Sequence, residues 1–204
     1  MKVYAVKKGN KTGIFDNWAE CQKATKGFVD PEFKSFTTRE EAEAYLEDRD
    51  VCVEQVAKDN SEGYLVAFTD GSFDKDLKRY SYGVQFILPD GTESDICGYG
   101  SNPEYIDSNN IIGEIFGVIN ALDWAISNEY EKIKIYHDYV GLKKWTSGEW
   151  TAKSEVAKMY VDAYNKLKSK GLEVEFVKVP GHSNVIYNEK ADQLAKAALK
   201  ATLR

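Results

Sequence analysis

The order in which the hydrophobic pattern changes period between residues 63 and 204 leaves few folds open. Residues 63–69 are apolar on both faces, as a strand in the middle of a sheet must be. Residues 80–88 and 92–99 flank Pro89-Asp90-Gly91, a turn signal that makes them an antiparallel hairpin. Helical spacing follows over 112–128, where Ile115, Ile119, Leu122 and Ile126 share a face. Residues 132–137 alternate as a strand, 139–146 and 154–169 read as helices, 173–178 as a further strand, and 188–202 as an Ala-rich closing helix. Three hairpin strands followed by helix-separated strands predict an α/β domain at 63–204. Its five-stranded mixed sheet is flanked by helices.

The first 47 residues follow a different plan. Residues 3–7 read as a strand, and Gly9-Asn10-Lys11-Thr12-Gly13 turns the chain into Ile14-Phe15. Asn17 can cap a short helix ending near Thr25, and residues 33–36 form a third strand. Thr38-Arg39-Glu40-Glu41 is a capping box that opens a helix through Leu46. The expectation is a small α+β module at 1–47 with a three-stranded antiparallel sheet. Residues 48–62 are charged and lack an amphipathic period, so they read as a linker.

Composition narrows the partners. No apolar stretch approaches the roughly 20 residues of a membrane helix, and the first residues are too polar for a signal peptide, so no membrane is expected. Cys21, Cys52 and Cys97 are odd in number and widely spaced, which suits a reducing cytoplasm better than a disulfide framework. The net charge of −6 by itself argues against a nucleic-acid partner. The sign is uneven, however. Lys2, Lys7, Lys8, Lys11, Lys23 and Lys26 face only Asp16 and Glu20 in the first 29 residues. That basic start points to a polyanion, or equally to a solvated lysine face.

Four carboxylates stand where a soluble fold seldom puts them. Asp70 closes the apolar run 64–68 and precedes Gly71-Ser72; Glu114 opens the apolar helical stretch 115–119; Asp138 ends 133–137; Asp192 lies within Ala191-Asp192-Gln193-Leu194-Ala195. Carboxylates against apolar elements are costly unless a positive group compensates them. Asp70 and Asp138 both fall at strand C-termini; parallel neighbours lie about 4.8 Å apart, close enough to share a cation. Oxygen ligands without His or Cys favour Mg²⁺ or Mn²⁺, and a pair of such ions suits phosphodiester chemistry. Each residue also has a plainer reading. Asp70-Gly71-Ser72 is a turn sequence, Glu114 in a first helical turn complements the helix dipole, Asp138 can cap the next helix, and Asp192 can pair with Lys196. His182, in the loop Val179-Pro180-Gly181-His182-Ser183-Asn184, is placed to shuttle protons or is a surface side chain. His137, on its strand, reads as structural.

Taken in order, these residues resemble the type I ribonuclease H family. The resemblance is carried by Phe68-Thr69-Asp70-Gly71-Ser72, Asn110-Ile111-Ile112-Gly113-Glu114, Tyr136-His137-Asp138, and Pro180-Gly181-His182 with Asp192 ten residues on. It implies a ribonuclease H-like fold in which Asp70, Glu114, Asp138 and Asp192 hold two Mg²⁺ ions, Mn²⁺ being the alternative. His182 would help proton transfer or product release. The implied activity is hydrolysis of the RNA strand of RNA–DNA hybrids to 5′-phosphate and 3′-hydroxyl ends. Gly71, Ser72, Asn109, Asn110 and Ser154 match nucleic-acid contacts of the family. Trp145 and Trp150 can line a groove or fill the core.

Residues 1–47 resemble a second module, the hybrid-binding or viroplasmin-like domain, through Tyr4-Ala5-Val6-Lys7-Lys8-Gly9, Lys11-Thr12-Gly13-Ile14-Phe15, Trp18-Ala19-Glu20-Cys21 and Phe33-Lys34-Ser35-Phe36. The resemblance implies nucleic-acid contacts at Tyr4, Trp18, Phe33 and Lys34, by rings resting on sugars and lysine meeting phosphate. Residue patterns alone would pack Trp18 and Phe33 into the core. The expected partner is an RNA–DNA hybrid, with double-stranded RNA a further candidate for the module, and the expected state a monomer. The rivals are a non-catalytic hybrid- or double-stranded-RNA-binding protein, or another nuclease on the same sheet.

Overall fold

The computed structural model describes residues 2–47, 51–106, 108, 110–179 and 185–201, with backbone alone at Val51 and Asn110. The chain forms two compact units, Met1–Gln55 and Val56–Arg204.

In the first unit β1 (Val3–Lys8) lies between β2 (Gly13–Phe15) and β3 (Glu32–Phe36), antiparallel to both. Helix α1 (Trp18–Thr25) starts where Asn17 Oδ1 accepts from the Glu20 N–H at 3.0 Å. Helix α2 (Arg39–Leu46) starts at the capping box: Thr38 Oγ1 accepts from the Glu41 N–H at 3.2 Å, and Glu41 Oε2 accepts from the Thr38 N–H at 3.1 Å. Alternation along β1 sends Val6 to the α1 side, where it meets Phe15, Cys21 and Ala24 in a small core with Tyr4 against it.

The second unit is built on a sheet of order β6-β5-β4-β7-β8. Strands β4 (Leu65–Asp74), β5 (Arg79–Ile87) and β6 (Glu93–Gly100) form an antiparallel meander, and β7 (Lys132–His137) and β8 (Glu173–Lys178) add in parallel. Helices α4 (Pro103–Ile106), α5 (Asn110–Ser127), α6 (Gly141–Thr146), α7 (Glu155–Lys168) and α8 (Ile186–Lys200) complete it. Gly117 of α5 approaches Thr69, whereas α8 approaches Gly83, the cross-strand partner of Asp70. Since neighbours along a strand face opposite ways, α5 and α8 cover opposite faces. The main core, including Leu65, Val84, Phe86, Ile115, Leu122 and Ile135, lies on the α5 side.

Two expectations are corrected. The 48–62 linker contains a helix, α3 (Val51–Ser61). Its anchors are mostly polar, which is why no apolar period announced it. Asp59, 1% exposed, accepts from Lys134 Nζ at 2.8 Å and from the Tyr136 hydroxyl at 2.5 Å. Asn60 donates to the carbonyls of Tyr64 and Ile87 at 3.0 and 3.1 Å. The Lys134 ammonium also lies 4.3 Å from the centre of the Tyr64 ring, and the Tyr64 hydroxyl donates to Glu173 and Glu175. The second correction concerns β4, which runs five residues past Thr69 instead of ending there. Among the described residues no helix is long and apolar enough to cross a membrane.

Candidate active site

The site begins where the sheet forks. Parallel pairing of β4 with β7 ends at Phe68↔Tyr136, while β4 stays paired to β5 as far as Asp74↔Arg79. Asp70 and Asp138 each stand two residues beyond the last parallel pair, so both point to the same face. Asp70 therefore lies mid-strand and not at a strand end, and its Oδ1 accepts from the Gly71 N–H at 2.7 Å.

Glu114 is delivered to this fork by a glycine. A Cβ on Gly113 would stand 2.3 Å from the Ser81 carbonyl oxygen and 2.8 Å from Gly71 Cα. Only a residue without a side chain lets α5 begin against β4 this closely. Glu114 is then 6% exposed, and its Oε2 is buried without a hydrogen-bond partner. Burial pushes its pKa well above the ordinary carboxylate value. The charges of Asp70 and Asp138 and a hydrogen bond with Asp138 push the same way, opposed only by the Gly71 N–H. Glu114 is the fifth residue of α5, beyond the first turn, so the helix-dipole reading does not apply. Asp138 caps nothing either, since α6 is preceded by Val140 without a side-chain cap.

Asp192 arrives on the other face by similar means. A Cβ on Gly83 would come within 2.2 Å of the Ala191 carbonyl oxygen and 2.6 Å of the Ala195 nitrogen, and the Ser81 hydroxyl donates to the Ala195 carbonyl at 2.7 Å. Helix α8 is thereby held hard against β5. Asp192 Oδ2 accepts from Lys196 Nζ at 2.6 Å, the i,i+4 pair anticipated as its plainer role, and Asp70 acts on the same ammonium.

The structure thus sets Glu114 against both Asp70 and Asp138, and pairs Asp192 with Lys196, on which Asp70 also acts. Among the described residues no three His, Cys, Asp or Glu side chains are arranged to hold a metal ion as they stand. The carboxylates make other contacts instead: Asp70 accepts from the Gly71 N–H, Asp192 from Lys196 Nζ, and Glu114 is hydrogen-bonded with Asp138. The donor set fits a hard divalent cation all the same. It is all oxygen, and the orphaned Glu114 Oε2 is a buried acceptor with two carboxylates beside it.

The remaining expected residues divide. Gly71 and Ser72 lie half-buried in β4 beneath Gly113. Ser154 caps α7, accepting from the Ala157 N–H at 3.2 Å. His137 is fully buried with Nδ1 2.9 Å from the Tyr139 carbonyl, and burial takes its pKa down to about 4, in keeping with a structural role. Trp145 packs against the core, while Trp150 is 40% exposed. His182 and Asn109, and the side chain of Asn110, lie outside the described residues. In the first unit Tyr4, Trp18 and Phe33 form a row with ring centres 5.6 and 5.8 Å apart. Trp18 is 46% and Phe33 37% exposed, so core packing is not their role. Lys34 follows Phe33 in β3 and projects to the opposite face, its Nζ 5.6 Å from the Phe36 ring. Sequence reasoning weighed Lys196 only as a helix-surface partner and missed Gly83 altogether; the Asp192–Lys196 spacing was the available signal.

The family model for RNase H matches residues 62–200, and that for the Ribonuclease H1 N-terminal domain matches residues 2–46. This chain belongs to the ribonuclease H family. It is 25% identical over 261 residues to Ribonuclease H1 of Homo sapiens, covering 97% of this chain and 89% of that one. Ribonuclease H of Chlorobium limicola is 39% identical over 148 residues, covering 67% of this chain and 95% of the relative. Among solved structures, RNase H1 of Halobacterium salinarum superposes with a TM-score of 0.58 at 20% identity, covering 68% of this chain and 99% of that one. LC11-RNase H1 in complex with an RNA/DNA hybrid gives 0.57 at 18% identity, covering 69% and 99%. These two likenesses establish the ribonuclease H fold. The family generally depends on a divalent metal.

Proposed function

We propose that this ribonuclease H is an endonuclease that hydrolyses the RNA strand of RNA–DNA hybrids, leaving 5′-phosphate and 3′-hydroxyl ends, with Mg²⁺ as its metal. One observation carries the reading: Glu114, buried with an unpartnered oxygen beside Asp70 and Asp138. A group so placed costs stability in a metal-free protein and becomes favourable when a cation is shared among the three. When bound, a pair of divalent ions supplies an activated water and charge neutralisation at the departing oxygen.

The chain's own residues have separable tasks. Asp70 and Asp138, on one face of the fork, are the shared ligands. Glu114 holds one ion and accepts from a ribose 2′-hydroxyl, which favours RNA at the cleaved strand. Asp192 completes the second position, and His182 moves protons. Tyr4, Trp18 and Phe33 offer rings to sugar edges, and the module adds a tethered second contact. Lys34, Gly71, Ser72, Asn109, Asn110 and Ser154 are the further candidate contacts. The protein is proposed to act as a monomer in the cytoplasm, where its three unbridged thiols would stay reduced.

Cleavage of an end-labelled hybrid, run beside duplex DNA and duplex RNA, tests the reading. Cutting of the hybrid's RNA strand that needs Mg²⁺ and vanishes in Asp138→Asn is expected. Unchanged cleavage by Asp138→Asn, or preferential cutting of duplex DNA, overturns it.

A further inference from the structure

The two ends of the carboxylate cluster are unequal. At one end Glu114 meets Asp70 and Asp138, with the Gly71 N–H opposing their negative field. At the other, Asp192 has an ammonium of its own. Lys196 lies one helical turn beyond it on α8 with Nζ 2.6 Å from Asp192 Oδ2. Lys196 differs from an ordinary surface partner in facing a second carboxylate. Asp70, on a different element, stands on the face of β4 that α8 covers, because its cross-strand partner Gly83 packs against the α8 backbone at Ala191 and Ala195. The packing explains how: Gly83 and Ser81 hold α8 against β5, so groups on this part of the helix come within reach of the adjoining β4.

We infer that Lys196 is a resident counterion of the Asp192–Asp70 end, and that a divalent cation reaching Asp192 does so by exchange, the ammonium moving out to solvent. The inference rests on the ribonuclease H reading of the site. Its physical basis is the contrast in burial between the two ends. Glu114 is 6% exposed, whereas Asp192 and Lys196 have side chains 28% and 57% exposed. Exposed pairs are weak and separate easily, and the four-carbon stem of lysine can carry its charge into water. At the other end, the charges named as acting on Glu114 are those of Asp70 and Asp138, both negative. The two positions therefore differ in affinity, with Asp192's the weaker. The same ammonium offsets repulsion between Asp70 and Asp192 when no metal is present.

Calorimetric titration of the full chain with Mg²⁺ tests this, comparing the parent with Lys196→Met and Lys196→Arg. Lys196→Met is expected to bind the second ion about fivefold more tightly and the first within about twofold, while Lys196→Arg behaves as the parent. In EDTA, Lys196→Met is expected to melt below the parent, and the gap is expected to close with saturating Mg²⁺. Unchanged or weaker second-site affinity in Lys196→Met overturns the counterion role, as does a melting gap that Mg²⁺ leaves intact. If the parent binds no divalent ion, the proposed function fails as well; normal uptake that ignores Lys196 removes this inference alone.

Discussion

The first unit sets aromatic rings in water: Trp18 and Phe33 are exposed beside Tyr4, although the unit has few apolar residues to fill its core. The second does the reverse and keeps the carboxylate of Glu114 in a nearly dry interior. Each departure from the usual partition of apolar and charged groups costs stability. The direction of the departure indicates the kind of partner each unit suits. Exposed rings suit a broad partner with flat or apolar edges, such as a nucleic-acid groove. A buried anion with anionic neighbours calls for a small cation. One unit is thus shaped for a polymer and the other for an ion.

Substitutions can break that contrast, and the largest effect belongs to the buried acid. Glu114→Gln should lower hybrid cleavage by about a thousandfold or more, with hybrid affinity kept within about threefold and metal-free melting temperature unchanged or raised, since an acid with an unpartnered buried oxygen beside two carboxylates is removed. Calorimetry and single-turnover assays check this; near-normal cleavage would detach Glu114 from the chemistry.

Next in size is the clasp on α3. Asp59→Ala leaves Lys134 with its longer, half-exposed pairs to Glu175 and Glu62 and takes away the acceptor of the Tyr136 hydroxyl; it should cost about 2–3 kcal/mol by urea unfolding. The same pair has a pH signature. Burial lowers the Lys134 pKa, but the hydrogen bond and charge of Asp59, aided by Glu175 and Glu62, outweigh it and leave it above the ordinary lysine value. A raised folded value means the contribution is complete below the unfolded lysine pKa and is lost as pH climbs through the folded one. Melting temperature should therefore fall more steeply in the parent than in Asp59→Asn above about pH 10.5; parallel curves would remove the linkage.

Gly83→Ala puts a methyl group into the backbone of α8 and should cost about 1–3 kcal/mol, with a fall in kcat as Asp192 shifts. Full activity would show that α8 can give way. Smallest is Trp18→Ala, expected to weaken hybrid binding by about 1–2 kcal/mol while kcat and melting temperature hold, because the ring is half in water. A large loss of stability would return Trp18 to the core and dissolve the contrast between the units.

What could be read in advance follows from the range of each interaction. Strands β7 and β8 begin and end where their alternation does, and Thr38 with Glu41 caps α2 as their spacing indicates. These signals lie within a few residues of one another. Helix α3 escaped because its anchors, Lys134, Tyr136 and Ile87, are distant in sequence and mostly polar. Asp70 read as a strand end because apolar residues stop there, whereas its strand continues on pairing with β5. Glu114 could be placed on a helix but not by a full turn, since Asn110 to Gly113 carry no feature that separates a helix start from a loop. Lys196 was visible as a partner of Asp192, yet the approach of Asp70 depends on Gly83 and α8, elements more than a hundred residues apart.

The fork between β4 and β7 has a consequence for inheritance. Its opening is set by where main-chain pairing stops, at Phe68 and Tyr136, and main-chain pairing is indifferent to most substitutions. Substitutions that leave this pairing alone leave the notch in place, as long as its acids and the two closely packed glycines, Gly83 and Gly113, are kept. Such a notch outlasts the wording of the sequence that builds it.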